Sequence, residues 1–346
     1  MASSTHVPLS LQELKTLVYA DLSDSELENL AQQSSLLTQQ RFGHTMQLYA
    51  PLYLSNECVN NCSYCGFSSH NKIARHTLSP KEVRQEAQTL AQQGIEHLLL
   101  VAGEHPKHVG LNYLKEVMSE IKDLFAAISI EIAPLEEGDY RELTQAGVSG
   151  LVVYQETYNR EIYKKIHISG PKKDYDHRME VLSQGARAGM RFLGMGVLYG
   201  LAPWQDDFMA LMQHAQTLQK ECWKSSLMFS FPRLRDAEGF KGPEFPFTDR
   251  DFVKAICLTR LAFPEAALTL STRESAHMRD SLLPFGFSMM SAGSRTNPGG
   301  YNINNDSLKQ FEISDERSIT TIKQLLKNKG FDPVSKDWEP SLHGTH

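Results

Sequence analysis

The sequence predicts a closed (β/α)8 barrel of the TIM type, preceded by a short helical extension. Three observations carry this. From residue 46 onward, short runs of strand character alternate with amphipathic helical stretches. Eight such runs fall within roughly 250 residues, the usual span of one barrel. The runs are apolar throughout instead of alternating, which marks strands buried on both faces of a parallel sheet. An open doubly wound sheet is the competing architecture, and eight units favour closure.

Residues 1–45 read as a helical extension. Leu11, Leu14 and Leu17–Val18 recur at helical spacing, and Ser23-Asp24-Ser25-Glu26 is a capping box opening a helix that runs toward Arg41 and stops at Gly43. Residues 46–330 read as the barrel. Its strands are Leu48–Ser55, His97–Ala102, Ile128–Ala133, Leu151–Gln155, Phe192–Leu198, Leu227–Phe231, Ala267–Ser271 and Phe287–Ser291. The helices between them start from Ser79-Pro80, Leu111, Asp139, Tyr175, Trp204, Thr248 and Ala276. Ser79, Pro80 and Glu82 occupy N-cap, N1 and N3, a strong start signal. Residues 331–346 lack helical periodicity and read as a loop-like tail.

The chain has 346 residues, 41% hydrophobic and 22% charged, so it can bury a large core. Lys and Arg number 35 against 41 Asp and Glu, a net charge of −6. That balance argues against attachment to nucleic acid or to an anionic membrane by bulk charge. No apolar run approaches the ~20 residues of a spanning helix. The N-terminus shows no apolar core behind a basic start, so a cytoplasmic protein is expected.

Five cysteines are present, an odd number, and Cys58, Cys62 and Cys65 lie within eight residues directly after the first strand. A disulfide framework does not look like this, so the cluster reads as a metal site. The C-x3-C-x2-C spacing gives three thiolates for three corners of a [4Fe–4S] cube and leaves the fourth iron open to a small chelating molecule. Tyr64 stands beside the last cysteine, where it can pack against a flat ligand such as adenine. The alternative is a Cys3His zinc site completed by His70, in a non-catalytic barrel scaffold. Cys222 and Cys257 fall in helical patterns and read as buried small hydrophobes.

Active sites of such barrels lie at the C-terminal strand ends. The polar residues there are the cysteine loop, Gly103-Glu104, Gln155-Glu156, Arg233 and Arg235, Arg273-Glu274, and Ser294-Arg295-Thr296. Gly194 and Gly196 lie on the fifth strand. Each has a plain structural reading as well: a turn, a rim ion pair such as Glu156 with Arg160 or Arg273 with Glu274, or packing inside the barrel.

The cysteine run with its aromatic resembles the radical SAM superfamily. Leu54–Phe67 (LSNECVNNCSYCGF), Ala102–Pro106 (AGEHP), Tyr154–Tyr158 (YQETY), Leu270–Ser275 (LSTRES) and Ser291–Tyr301 (SAGSRTNPGGY) are similar to its aromatic amino-acid lyase family, and within it to the tyrosine lyases of the ThiH group. The resemblance spans about residues 10 to 330. It implies a [4Fe–4S] cluster on Cys58, Cys62 and Cys65. It also implies S-adenosylmethionine held by Tyr64, Gly103, Glu104, Glu156 and Gly196, with Ala102 where the superfamily has a first glycine.

The reaction implied is cleavage of the Cα–Cβ bond of L-tyrosine to 2-iminoacetate and 4-cresol by way of a 5′-deoxyadenosyl radical. The implied partners are thiazole synthase ThiG, which takes the imine in thiamine biosynthesis, and a low-potential flavodoxin or ferredoxin. The tyrosine carboxylate needs a fork-shaped donor, and Arg273 with Ser294 is expected to supply it. A tryptophan lyase of the NosL type is the alternative within the family. HydG, a third relative, carries a second cluster. No cysteine follows Cys257 here, so carbon monoxide release is not expected.

Overall fold

A computed structural model describes residues 6–235, 242–302 and 309–334. Eight parallel strands form the barrel: β1 (Thr45–Ser55), β2 (His97–Ala102), β3 (Ala127–Glu131), β4 (Gly150–Glu156), β5 (Phe192–Val197), β6 (Ser226–Ser230), β7 (Ala267–Leu270) and β8 (Met289–Ser291). They pair in sequence order. β8 then pairs back onto β1, with Gln47–Tyr49 against Met289–Ser291, and this closes the sheet. Closure is what eight buried parallel strands reach when no edge is left to cover.

The helices are α1 (Leu11–Tyr19), α2 (Asp24–Phe42), α3 (Pro80–Gln92), α4 (Leu111–Ile121), α5 (Glu137–Ala146), α6 (Arg160–Ile166), α7 (Tyr175–Arg187), α8 (Trp204–Glu221), α9 (Asp249–Ala262), α10 (Ala276–Leu282) and α11 (Ile319–Asn328). Capping boxes open α2 at Ser23, α3 at Ser79 and α9 at Thr248. Each satisfies backbone N–H groups that a helix start leaves unpaired. α1 and α2 pack on α8 and α9, and their Leu14, Val18, Leu30 and Leu37 join the main core. The extension is therefore part of the barrel's outer layer.

Two differences from the sequence reading concern the C-terminal part. α11 was not signalled, although Ile319, Ile322 and Leu326 form its buried stripe. Residues 332–334 are not loop: Asp332–Val334 forms β9, parallel to Thr45–Gln47 at the lower end of β1. Residues 335–346 lie outside the described residues. α6, between β4 and α7, was also missed; it is only seven residues long.

Inside the barrel, Val152, Phe192, Met228 and Met289 form an apolar floor, with Tyr49, Leu99 and Tyr154 packed against it. His97 sits in this floor and bonds Ser129 at 3.1 Å. Burial keeps its imidazole neutral, with its pKa lowered to about 4. The floor lies below the cleft at the C-terminal strand ends.

Candidate active site

Above the floor, a cleft opens at the C-terminal ends of the strands. Its empty space is about 1470 Å³ including the open mouth.

The cysteine loop forms one wall. Cys58, Cys62 and Cys65 all line the cleft and are free thiols. The loop is held by backbone and side-chain bonds that leave the sulfurs free. Arg75 donates to the carbonyls of Asn56, Phe67 and Ser68 at 2.6–2.8 Å. Cys62 is in a two-stranded ribbon with His167–Ser169. Asn60 donates to Glu104 at 2.7 Å, and the Val59 amide donates to the Glu104 carbonyl at 3.0 Å. Gly103 is needed because a Cβ there would meet the Glu57 carbonyl at 2.3 Å.

These residues fit an iron–sulfur cluster. Burial pushes all three thiols above the ordinary cysteine range, to about 11 for Cys65. Thiolates are thus stable here only beside a cationic metal centre. The three sulfurs do not all lie within 4.8 Å of one another. Tetrahedral zinc with Zn–S of about 2.3 Å needs sulfurs near 3.8 Å apart. The wider spacing suits a multi-metal cluster, and His70, proposed as the fourth zinc ligand, is exposed on the surface.

Tyr64 is buried at the cleft wall. Its hydroxyl donates to His167 Nε2 at 2.9 Å, because His167 Nδ1 donates to the Tyr163 carbonyl at 2.9 Å. Burial and the Lys172 charge hold His167 neutral, near 3. The ring of Tyr64 is therefore fixed in place.

Next to it lies a compact cluster of four charges. Lys172 is 2.7 Å from Glu156 and 3.8 Å from Glu104, and Arg178 is 3.1 Å from Glu104. Arg178 also donates to the Tyr154 carbonyl at 2.8 Å. Burial pushes the Glu156 carboxyl up, but Lys172 and Arg178 outweigh it and hold the group below its usual range. Glu156 has φ of 69°, a left-handed conformation costly for a non-glycine residue and typical of functional sites. Its plain structural partner, Arg160, instead pairs with Asp176.

Opposite this cluster, Arg273 reaches into the cleft. Its guanidinium stacks on Phe311 at 3.4 Å from the ring centre. Among the described residues it has no ion-pair partner, because Glu274 bonds Arg233 at 2.9 Å and Arg235 at 3.1 Å. Ser294 is buried, and among the described residues its Oγ has no hydrogen-bond partner. Arg233 is tied to Glu274 and Asp249, and Arg295 donates to the Ser294 carbonyl. The stretch Lys309–Phe311 crosses the mouth, with Tyr53 donating to Gln310 at 2.7 Å.

Gly196 is not brought to the cleft. A Cβ there would meet the Ser230 carbonyl at 2.6 Å and the Tyr154 ring at 3.1 Å, so its missing side chain serves packing between strands. Sequence reasoning overlooked Lys172, Arg178 and Glu131. Lys172 lies on a turn after the ribbon and Arg178 on α7, neither at a strand end. The signal that pointed to them was indirect: two acids at strand ends, Glu104 and Glu156, need buried cations. Glu131 ends β3 inside the cleft, and burial together with the Glu156 charge raises its carboxyl to about 7.

The radical SAM superfamily model matches residues 52–212, and the biotin and thiamin synthesis associated domain model matches residues 230–332. The 2-iminoacetate synthase of Escherichia coli (strain K12) is 42% identical over 91% of this chain and 84% of its own length. The chain belongs to the 2-iminoacetate synthase family of radical SAM enzymes. It is a carbon–carbon lyase using a [4Fe–4S] cluster and S-adenosylmethionine. The X-ray structure of the FeFe-hydrogenase maturase HydG from Carboxydothermus hydrogenoformans is similar, with a TM-score of 0.89, 34% identity, and coverage of 96% of this chain and 77% of that one. Methylornithine synthase (PylB) shares the fold at a TM-score of 0.77 and 21% identity, over 95% of each chain. No described helix is long and apolar enough to cross a membrane.

Proposed function

We propose that the cleft holds L-tyrosine by its carboxylate between Arg273 and Ser294, and that the enzyme cleaves its Cα–Cβ bond to 2-iminoacetate and 4-cresol. The single observation that carries the anchor is the pair of groups unmet among the described residues: a guanidinium with no acid partner and a buried hydroxyl with no hydrogen-bond partner, at adjacent strand ends. A buried charge without a counterion is costly unless a ligand supplies one. A carboxylate meets both needs with parallel charge-assisted hydrogen bonds.

Cys58, Cys62 and Cys65 hold the cluster. Glu104, Glu156, Lys172 and Arg178 present two anions and two cations to the amino, carboxylate and ribose groups of S-adenosylmethionine, with Tyr64 as an aromatic wall. When bound, the cluster and S-adenosylmethionine supply a 5′-deoxyadenosyl radical, a one-electron reagent that side chains do not provide. The chain's own residues position and shield. Arg273 and Ser294 fix the carboxylate, so the adjacent amino group is held still for hydrogen abstraction. Phe67, Leu198 and Leu234 line the cleft with apolar surface that keeps water from a reactive intermediate. Glu131, deep in the cleft, is placed to meet the substrate's polar end.

The imine hydrolyses readily in water, so it is handed on promptly. By family resemblance the acceptor is thiazole synthase ThiG, and the electron comes from a flavodoxin or ferredoxin in the cytoplasm. The test is an anaerobic assay of the cluster-loaded enzyme with S-adenosylmethionine and dithionite, given tyrosine or tryptophan. Cresol and dehydroglycine from tyrosine are expected. An indole acid from tryptophan without cresol would sink the assignment.

A further inference from the structure

Three side chains that the reaction does not use face one another beside the cleft. Ligand atoms of Glu57, His105 and His108 all lie within 4.8 Å of one another. None of the three lines the cleft. The sequence builds this trio from two neighbouring segments. His105 and His108 are three residues apart on a single turn, with the His108 and Val109 amides donating to the His105 carbonyl at 3.0 and 2.9 Å. That turn puts both rings on one side, edge to face with centres 4.4 Å apart. Glu57 comes from the end of β1. The close approach of Gly103 to the Glu57 carbonyl brings the two segments together.

One atom in this group points to a ligand. His105 Nδ1 is buried and has no hydrogen-bond partner among the described residues. A buried imidazole nitrogen left unpaired is uncommon, and such atoms commonly meet a bound water or ion. The imidazole that carries it has a ligand nitrogen within 4.8 Å of a second imidazole and a carboxylate. Two imidazole nitrogens and one carboxylate oxygen are a zinc donor set, with a fourth position left to water.

We propose that Glu57, His105 and His108 bind one zinc ion, outside the iron–sulfur site, and that the ion ties the turn after β2 to the segment entering the cysteine loop. Zinc–ligand distances near 2.0–2.1 Å put neighbouring ligand atoms about 3.3 Å apart. Contracting from 4.8 Å or less needs only side-chain rotation, and exposed His108 has room to turn. Thiolates also take zinc, so zinc falls to the nitrogen and oxygen donors once the cluster occupies Cys58, Cys62 and Cys65. Glu57 precedes Cys58 and His105 follows Glu104, so the ion fixes the spacing between a cluster ligand and a cofactor-binding carboxylate.

The test uses the cluster-loaded enzyme under anaerobic conditions, so that iron occupies the cysteines. Zinc chloride is titrated by equilibrium dialysis with metal analysis, and amide hydrogen exchange is followed with and without zinc. One zinc per chain is expected, with slower exchange over residues 56–62 and 103–109. His108→Ala and Glu57→Gln each should weaken zinc binding by at least about tenfold, since even outer partners of a metal cost that much. Iron content should not change in either variant. Wild-type enzyme that takes up no zinc, variants that bind it as tightly as wild type, or zinc uptake matched by iron loss would each overturn the proposal.

Discussion

Replacing Arg273 by methionine should abolish tyrosine binding while leaving the fold as stable as before. Two charge-assisted hydrogen bonds to a carboxylate contribute about 1.5–3 kcal/mol each, so their loss raises KM for tyrosine by roughly 10²–10⁴. Arg273→Lys keeps the charge but loses the fork, and one lost bond corresponds to roughly 10–100-fold. Stability follows a different account. Arg273 lacks an ion-pair partner among the described residues, and burial lowers its pKa. Its removal relieves a desolvation cost and gives up only the stacking on Phe311, about 0.5–2 kcal/mol.

Arg279 is the control. It is 1% exposed, bonded to Asp315 and to the Ser291 carbonyl in the barrel wall, and lines no part of the cleft. Arg279→Met leaves the Ser291 carbonyl without its donor and Asp315 with Arg317 as its remaining cation, and should cost about 1.5–3 kcal/mol. Urea melts and tyrosine saturation curves on both variants make the comparison, with unproductive S-adenosylmethionine cleavage as a check that the cofactor site survives. If Arg273→Met melts as early as Arg279→Met, or keeps the wild-type KM, the reasoning about the unpaired guanidinium fails.

Lys172→Met should raise KM for S-adenosylmethionine at least about tenfold and lower the melting temperature, because Glu156 and Glu104 lose a shared buried cation. A lone effect on tyrosine KM would contradict the assigned role. Gly103→Ala forces a methyl against the Glu57 carbonyl, so anaerobically reconstituted protein should hold clearly less iron per chain; full iron loading would show that the turn gives way freely. Glu131 supplies a pH signature. Its folded pKa is raised to about 7, so the native state keeps the proton that the unfolded chain releases near 4.5. Its stabilising contribution is full below pH 4.5 and is lost as pH rises through 7. The shift corresponds to about 3 kcal/mol at most, and water in the cleft reduces it to roughly 1–2 kcal/mol. Glu131→Gln should therefore flatten the fall in stability between pH 5 and 8, and an unchanged slope in urea melts would reject the assignment.

The parts of this molecule that the sequence disclosed are those with local rules. Ser79-Pro80-Lys81-Glu82 announces α3 through backbone groups only three residues apart, and the apolar runs announce strands because burial on both faces forbids alternation. Cys58, Cys62, Cys65, Glu104, Glu156 and Arg273 were legible because barrel topology sends every strand end to one face. Lys172 and Arg178 were not, since nothing near them in sequence says that they meet Glu104 and Glu156. Gly196 misled because a glycine on an inner strand serves a neighbouring ring as well as it serves a ligand. β9 escaped notice because three residues, one of them Pro333, carry no periodicity; edge pairing with β1 is decided by proximity alone.

That edge pairing has a consequence for how the protein is made. The first strand finds two of its partners, β8 and β9, toward the far end of the chain, roughly 240 and 285 residues later. At about 5–20 residues per second, a ribosome needs on the order of 14–57 s to produce them. The three cysteines leave the ribosome early, attached to a strand whose second edge is still unpaired. The barrel around them closes only when the last strands arrive, so the finished cleft is a product of the completed chain.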